Sequence, residues 1–212
     1  MHKQLTAADL FKQNKVIPVV VINDVDKASA IVTALLEGGI NAIEITLRTI
    51  NALEIINLVA KQFPEMLVGA GTVLSDSDYH KAAGKGAKFI VSPGLSQELA
   101  NTSHDYDIPF IPGAITPTEI INAYNLGFEY LKLFPAQSFN GIELLKSLSS
   151  PLPHIKFCPT GGINMNNIKQ YLELPNVAAV GCSFIVSADV IKNSDYQQIT
   201  KTCKTITSFI NS

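Results

Sequence analysis

The segment VIPVVVINDVDKASAIVTALLEGGINAIEITL, residues 16–47, holds one full cycle of the pattern that organises the chain. It opens on an apolar run at 16–22, rich in β-branched residues, which suits a strand buried on both faces. DKASAIVTALLEGG then places apolar residues at three-to-four spacing and ends in two glycines, the expected helix and its C-terminal stop. AIEITL, 42–47, returns to strand. A helix between two strands implies a parallel pair with a right-handed crossover. An open doubly wound sheet would carry a glycine-rich nucleotide loop after its first strand, and VVVINDVDKA has none.

The same alternation continues to the end of the chain. Further strands are expected at 67–72, 89–93, 109–114, 130–134, 156–160 and 177–182, and further helices at 50–63, 75–84, 95–103, 117–127, 141–149, 164–173 and 194–210. Eight β/α units most simply close into a (β/α)8 TIM barrel, here with an extra N-terminal helix over 1–15. No low-complexity segment or linker divides the 212 residues, so a single domain over 1–212 is expected.

Composition narrows the function. Hydrophobic residues make up 47% and charged residues only 16%, so much of the chain must be buried or engaged in subunit contacts. A net charge of −2 with scattered lysines offers no basic stripe for nucleic acid. The longest apolar run falls far short of the ~20 residues that span a bilayer, and MHKQLTAADLFKQNK has no apolar signal core, so a cytoplasmic protein without membrane contact is expected. Cys158, Cys182 and Cys203 show no C-x-x-C pairing and read as reduced core thiols. His2, His80, His104 and His154 have no metal-ligand spacing and read as surface residues.

Within a barrel, chemistry belongs at the C-terminal ends of the strands. In EYLKLFPA, 129–136, alternation puts Tyr130, Lys132 and Phe134 on one face and Leu131 and Leu133 on the other. The leucine face suits the helix layer, which turns Lys132 inward. On the second strand the same parity groups Ala42, Glu44, Thr46 and Arg48 opposite Ile43, Ile45 and Leu47. An amine, a carboxylate and a guanidinium are thus expected in one interior. Desolvating them costs several kcal/mol per ion, although a plain buried ion pair is a competing account. An interior lysine is a useful nucleophile when unprotonated; burial and a nearby guanidinium favour that state and an ionised Glu44 opposes it. Such an amine adds to a ketone to form a Schiff base, an electron sink that permits C–C cleavage without a metal, while Glu44 moves the protons.

The last two strand ends look like an anion rim. CPTGGI, 158–163, leaves the seventh strand through two glycines ahead of a helix expected near Asn164, and GCSFIV, 181–186, leaves the eighth with Gly181 and Ser183 ahead of a short helical turn. Loops at these places commonly bind phosphate. GAGTV, 69–73, is not a dinucleotide fingerprint, and its Thr72 reads as a hydroxyl at the mouth. SPG (92–94) and IPGA (111–114) supply turns, and no G-x-S-x-G elbow is present. These residues alone leave open a phosphosugar isomerase or synthase and a non-catalytic keto-acid or phosphate-binding barrel.

AIEITLRT, VGAGTVL, VSPGL, LKLFPA and CPTGGI together resemble the signature segments of the bacterial 2-keto-3-deoxy-6-phosphogluconate and 2-keto-4-hydroxyglutarate aldolases, and the resemblance runs over nearly the whole chain. It implies a class I aldolase of the Entner–Doudoroff pathway on a (β/α)8 barrel, needing no cofactor and no metal, acting on a small 2-keto acid and assembled as a homotrimer. Position by position it implies Lys132 as the Schiff-base lysine and Glu44 as the proton carrier. It implies Arg48 and Thr72 on the pyruvate carboxylate, Pro93, Phe134 and Thr160 along the pocket, and Gly161, Gly162, Gly181, Cys182 and Ser183 at the phosphate end. The chain departs from the family pattern at Cys182, where a second glycine is usual, and in FPAQSFNG, 134–141, which is commonly acidic and alanine-rich. Both departures fall at the aldehyde end of the substrate.

Overall fold

Strands and helices alternate through residues 4–210, the part of the chain that the computed structural model describes. In order they are α1 (Ala7–Gln13), β1 (Val16–Val20), α2 (Val25–Glu37), β2 (Ala42–Thr46), α3 (Ala52–Gln62), β3 (Leu67–Gly71), α4 (Asp76–Gly84), β4 (Phe89–Val91), α5 (Gln97–His104) and β5 (Phe110–Ile111). There follow α6 (Pro117–Asn125), β6 (Tyr130–Leu133), α7 (Gly141–Ser149), β7 (Lys156–Pro159), α8 (Ile168–Leu172), β8 (Val180–Cys182), α9 (Ala188–Asn193) and α10 (Tyr196–Ile210).

All strand pairs are parallel. The ladders form a curled six-stranded sheet in the order β5-β4-β3-β2-β1-β8 and a separate pair, β6-β7. The sequence pattern predicted one closed eight-stranded sheet; here single bridges stand where the two remaining ladders would run, Gly113–Lys132 on one side and Phe157–Val177 and Thr160–Gly181 on the other. Proline explains much of the shortening at β5. The expected strand 109–114 contains Pro109 and Pro112, which donate no ladder hydrogen bond, and only Phe110–Ile111 remains.

Burial follows the alternation. Ile43, Ile45, Val68, Ala70, Leu131 and Leu133 are fully buried and belong to the large cluster shared with the helices. Ile17, Ala42, Phe89, Val91, Ile111 and Cys158 form a second, inner cluster, which Leu10 and Phe11 of α1 join from the N-terminal side. Helix α1 starts in a capping box, with Thr6 accepting from the Asp9 N–H and the Asp9 carboxylate accepting from the Thr6 N–H.

Several boundaries differ from expectation. The predicted N-terminal helix over 1–15 is Ala7–Gln13, and its residues 1–3, with His2, lie outside the described residues. The helix expected from Asn164 begins at Ile168, because Asn164 and Asn167 first fold the chain into side-chain-bonded turns: Asn164 N–H donates to Asn167 Oδ1 at 2.8 Å and Asn166 N–H to Asn164 Oδ1 at 2.9 Å. The three cysteines are free and buried. Among the described residues no helix is long and apolar enough to cross a membrane.

Candidate active site

Lys132 lies in the middle of β6, 5% exposed, between the fully buried Leu131 and Leu133. Its backbone is fixed from both sides of β5's loop: the Lys132 N–H donates to Pro112 O at 2.8 Å, and the Ala114 N–H donates to Lys132 O at 3.0 Å. The ammonium projects away from the leucines. It donates to Glu44 Oε1 at 3.1 Å and stands 5.5 Å from the centroid of the Phe134 ring.

Glu44, 4% exposed, comes from β2. Its carboxylate fits only because β3 carries no side chain at Gly71, where an added Cβ would fall on Oε1. The second carboxylate oxygen has no protein partner among the described residues, yet the one buried polar side-chain atom left unpaired there is Asn176 Oδ1; Glu44 therefore keeps a route to solvent. A buried pair with one hydrogen bond and an open side contributes little net stability, since desolvation offsets much of the attraction. It is well arranged to receive a small ligand.

Strand alternation fails at Arg48. β2 ends at Thr46, and Arg48, expected inside with Glu44, is exposed at the rim, where Nε donates to Thr72 Oγ1 at 3.2 Å. Thr46 is buried, but its hydroxyl donates to Val20 O at 3.1 Å and serves the sheet. Thr72 takes φ of 59°, a left-handed conformation unusual for a β-branched residue, and strain of this kind gathers at functional sites. Pro93 and Phe134 are half-buried and form the inner wall of a cleft of about 490 Å3 that opens outward between α5 and α6.

Cys158 pairs with Lys132 across the β6–β7 ladder. Burial first, and then the negative Glu44, push its thiol up to about 12, so it stays protonated and inert. The Thr160 hydroxyl donates to Cys158 O at 3.3 Å and occupies the place where a side chain at residue 181 would lie, so Gly181 is required for it.

The two-glycine loop has a clear polarity. Gly161 and Gly162 take φ of 96° and 79°. Gly161 O accepts from the Gln137 N–H at 3.0 Å, and Gly162 O accepts from Asn164 Nδ2 at 3.2 Å and Asn167 Nδ2 at 3.0 Å. The N–H groups of Gly162 and Ser183 donate to no protein acceptor among the described residues, which leaves them free for an anion. Ser183 is exposed beside them, whereas the Cys182 side chain, expected at the phosphate end, is fully buried in the cluster shared with the helices. In β8 the parity that exposes Gly181 to Thr160 turns residue 182 the other way.

Gly71, Gln137 and Asn167 shape the site and were not singled out from the sequence. Gly71 sits two residues after a β3 position paired with Glu44, so strand register would have found it; Gln137 lies in the loop 134–141, whose departure from the family pattern marks the region but not the residue, and Asn167 carries no local signal.

The family model for KDPG and KHG aldolase matches residues 8–202. The chain belongs to the KDPG and KHG aldolase family. The KHG/KDPG aldolase of Escherichia coli strain K12 is 37% identical over 196 residues, covering 92% of each chain. Among solved structures, the KDPG aldolase of Legionella pneumophila, with pyruvate captured at low pH as a covalent carbinolamine intermediate, superposes with a TM-score of 0.91 at 41% identity, covering 93% of this chain and 96% of that one. The 2-keto-3-deoxy-6-phosphogluconate aldolase of Zymomonas mobilis ZM4 with 3-phosphoglycerate gives 0.88 at 37% identity, covering 93% of each. Among the described residues, no three or more His, Cys, Asp or Glu side chains cluster as metal ligands.

Proposed function

We propose that this aldolase is a class I enzyme that cleaves 2-keto-3-deoxy-6-phosphogluconate to pyruvate and glyceraldehyde 3-phosphate, and 2-keto-4-hydroxyglutarate to pyruvate and glyoxylate. The observation that carries the reading is the buried Lys132–Glu44 pair, 3.1 Å apart, with the Lys132 ammonium 5.5 Å from the ring of Phe134, which lines the cleft. The covalent pyruvate adduct in the Legionella relative supports it.

In this mechanism Lys132, having passed a proton to Glu44, adds to the C2 ketone. Glu44 returns protons as the carbinolamine loses water, and the iminium forms. Glu44, through one water, then takes the C4 hydroxyl proton; C3–C4 breaks, its electron pair enters the iminium as an enamine, and the aldehyde leaves. Protonation at C3 and hydrolysis release pyruvate and restore the amine. Arg48 and Thr72, already hydrogen-bonded to each other at 3.2 Å, bind the pyruvate carboxylate, with Pro93, Phe134 and Thr160 around the carbon chain. The free N–H groups of Gly162 and Ser183, with Gly161 and Gly181 beside them, receive the phosphate. The scheme requires no metal.

The chain works as a single catalytic domain in the cytoplasm on a (β/α)8 barrel, a reading that the single bridges at Gly113–Lys132 and Thr160–Gly181 support. A homotrimer would cover Ile50 and Leu74, 95% and 61% exposed beside the mouth.

Borohydride reduction in the presence of pyruvate should add a reduced pyruvyl group to Lys132 and abolish turnover, with EDTA having no effect. An unmodified Lys132 refutes the mechanism, and activity lost to EDTA points to a metal aldolase.

A further inference from the structure

The loop after β6 reaches across the site to the two-glycine loop after β7, and Gln137 makes the connection. Its backbone N–H donates to Gly161 O at 3.0 Å, next to the Ala136 N–H, which donates to Thr160 O at 2.8 Å. Its side-chain Oε1 accepts from two donors on the far side, Tyr171 Oη at 3.3 Å and Asn167 Nδ2 at 3.3 Å. The same Asn167 amide donates to Gly162 O at 3.0 Å. Gln137 therefore holds one glycine carbonyl directly and the other through Asn167.

Its packing is as specific as its hydrogen bonding. A Cβ on Gly162 would run into the Gln137 side chain, so the glycine turn is folded flat against this residue. Tyr171 is fully buried on α8, and burial raises its phenol pKa, which keeps it an O–H donor. Helix α8 thus anchors Gln137, and Gln137 anchors the loop. With both glycine carbonyls tied backward, the N–H groups that share their peptide planes, those of Gly162 and Ile163, point the opposite way.

We infer that Gln137 is a positioning residue for the phosphate end of the substrate, setting the aim of the Gly162 and Ile163 N–H groups without touching the reacting carbons. This rests on the aldolase reading. The lysine chemistry is separately held: Lys132 and Glu44 are fixed by strand ladders and by each other, with no bond to Gln137. Gln137 governs phosphorylated against unphosphorylated substrate and leaves the pyruvate half-reaction alone.

The test compares wild type with Gln137→Ala, Gln137→Met and Tyr171→Phe. KM for the phosphorylated acid should rise about tenfold in both Gln137 variants, as expected for one or two lost hydrogen bonds. KM for 2-keto-4-hydroxyglutarate, kcat for both acids and exchange of pyruvate methyl protons in deuterated water should stay within about twofold, below what one lost bond produces. Tyr171→Phe should shift the same single parameter by roughly threefold. Inorganic phosphate, followed by its effect on thermal unfolding, should bind Gln137→Met about tenfold more weakly than wild type. Met keeps the bulk and loses the acceptor, so a wild-type KM and phosphate affinity in that variant overturn the inference. A rise in KM common to both acids overturns it too. Should Gln137→Ala fail to fold, the Met and Tyr171 variants decide. Wild-type protein that exchanges no pyruvate protons refutes the aldolase reading instead, and the phosphate-binding comparison still decides the role of Gln137 in the loop.

Discussion

Gly71 leaves the space that the Glu44 carboxylate fills: a Cβ at residue 71 would fall on Oε1. Gly71 does not have a positive φ, so alanine is acceptable to the backbone, and the conflict is with Glu44 alone. Gly71→Ala should lower kcat by about 100-fold, the scale of a displaced general acid–base, with overpacking costing roughly 1–3 kcal/mol. Steady-state kinetics and denaturant unfolding measure both. Full turnover in this variant would mean that the Glu44 position is unimportant.

Thr72 combines strain with a contact to Arg48. Thr72→Gly should relieve the φ of 59° and raise stability by up to ~1 kcal/mol, yet remove the hydroxyl that accepts from Arg48 Nε. The apparent Kd of pyruvate, read from the borohydride trapping rate, should then rise about tenfold, while Thr72→Ser stays near wild type. A glycine variant with unchanged pyruvate affinity removes Thr72 from the carboxylate site.

Cys182 departs from the family pattern at the phosphate end, but its side chain points into the helix-facing core and is 0% exposed. Cys182→Gly should leave the kcat/KM ratio of phosphorylated to unphosphorylated acid within about twofold and cost roughly 1–3 kcal/mol for the vacated space. A large gain for the phosphorylated acid would show that the thiol crowds the loop.

Alkaline pH should weaken the fold through its buried thiols. Burial lifts Cys158 and Cys203 from an ordinary value near 9 to about 12. Both folded values lie above the unfolded value, so this stabilisation is complete below about pH 9 and is lost as pH rises towards 12. In that window the unfolded chain has released protons that the folded chain retains, and stability should fall by about 1.4 kcal/mol per pH unit for each such thiol. Urea unfolding from pH 8 to pH 11 measures the slope, and Cys158→Ala should flatten it.

Much of the site was readable because strand alternation is a local rule. Leu131 and Leu133 had to face the helices, and that alone turned Lys132 inward; Ile43 and Ile45 did the same for Glu44. The rule stopped where pairing stopped. Arg48 lies past Thr46, outside the ladder, and its direction is set by the Thr72 hydroxyl rather than by parity. Proline shortened β5, and asparagine side chains delayed α8, both through hydrogen bonds that a hydrophobic pattern does not register.

The eight strands, the inward lysine and glutamate, and the glycine turn all follow from patterns within a few residues of each position. That Glu44 meets Lys132 across 88 positions, that Gly71 is empty where the carboxylate lies, and that Gln137 and Asn167 aim the glycine loop do not follow from such patterns. Local preference sets which face a side chain occupies. Which residues meet across the interior depends on strand register, stagger and the packing of neighbouring loops, and these exist only once the chain is folded.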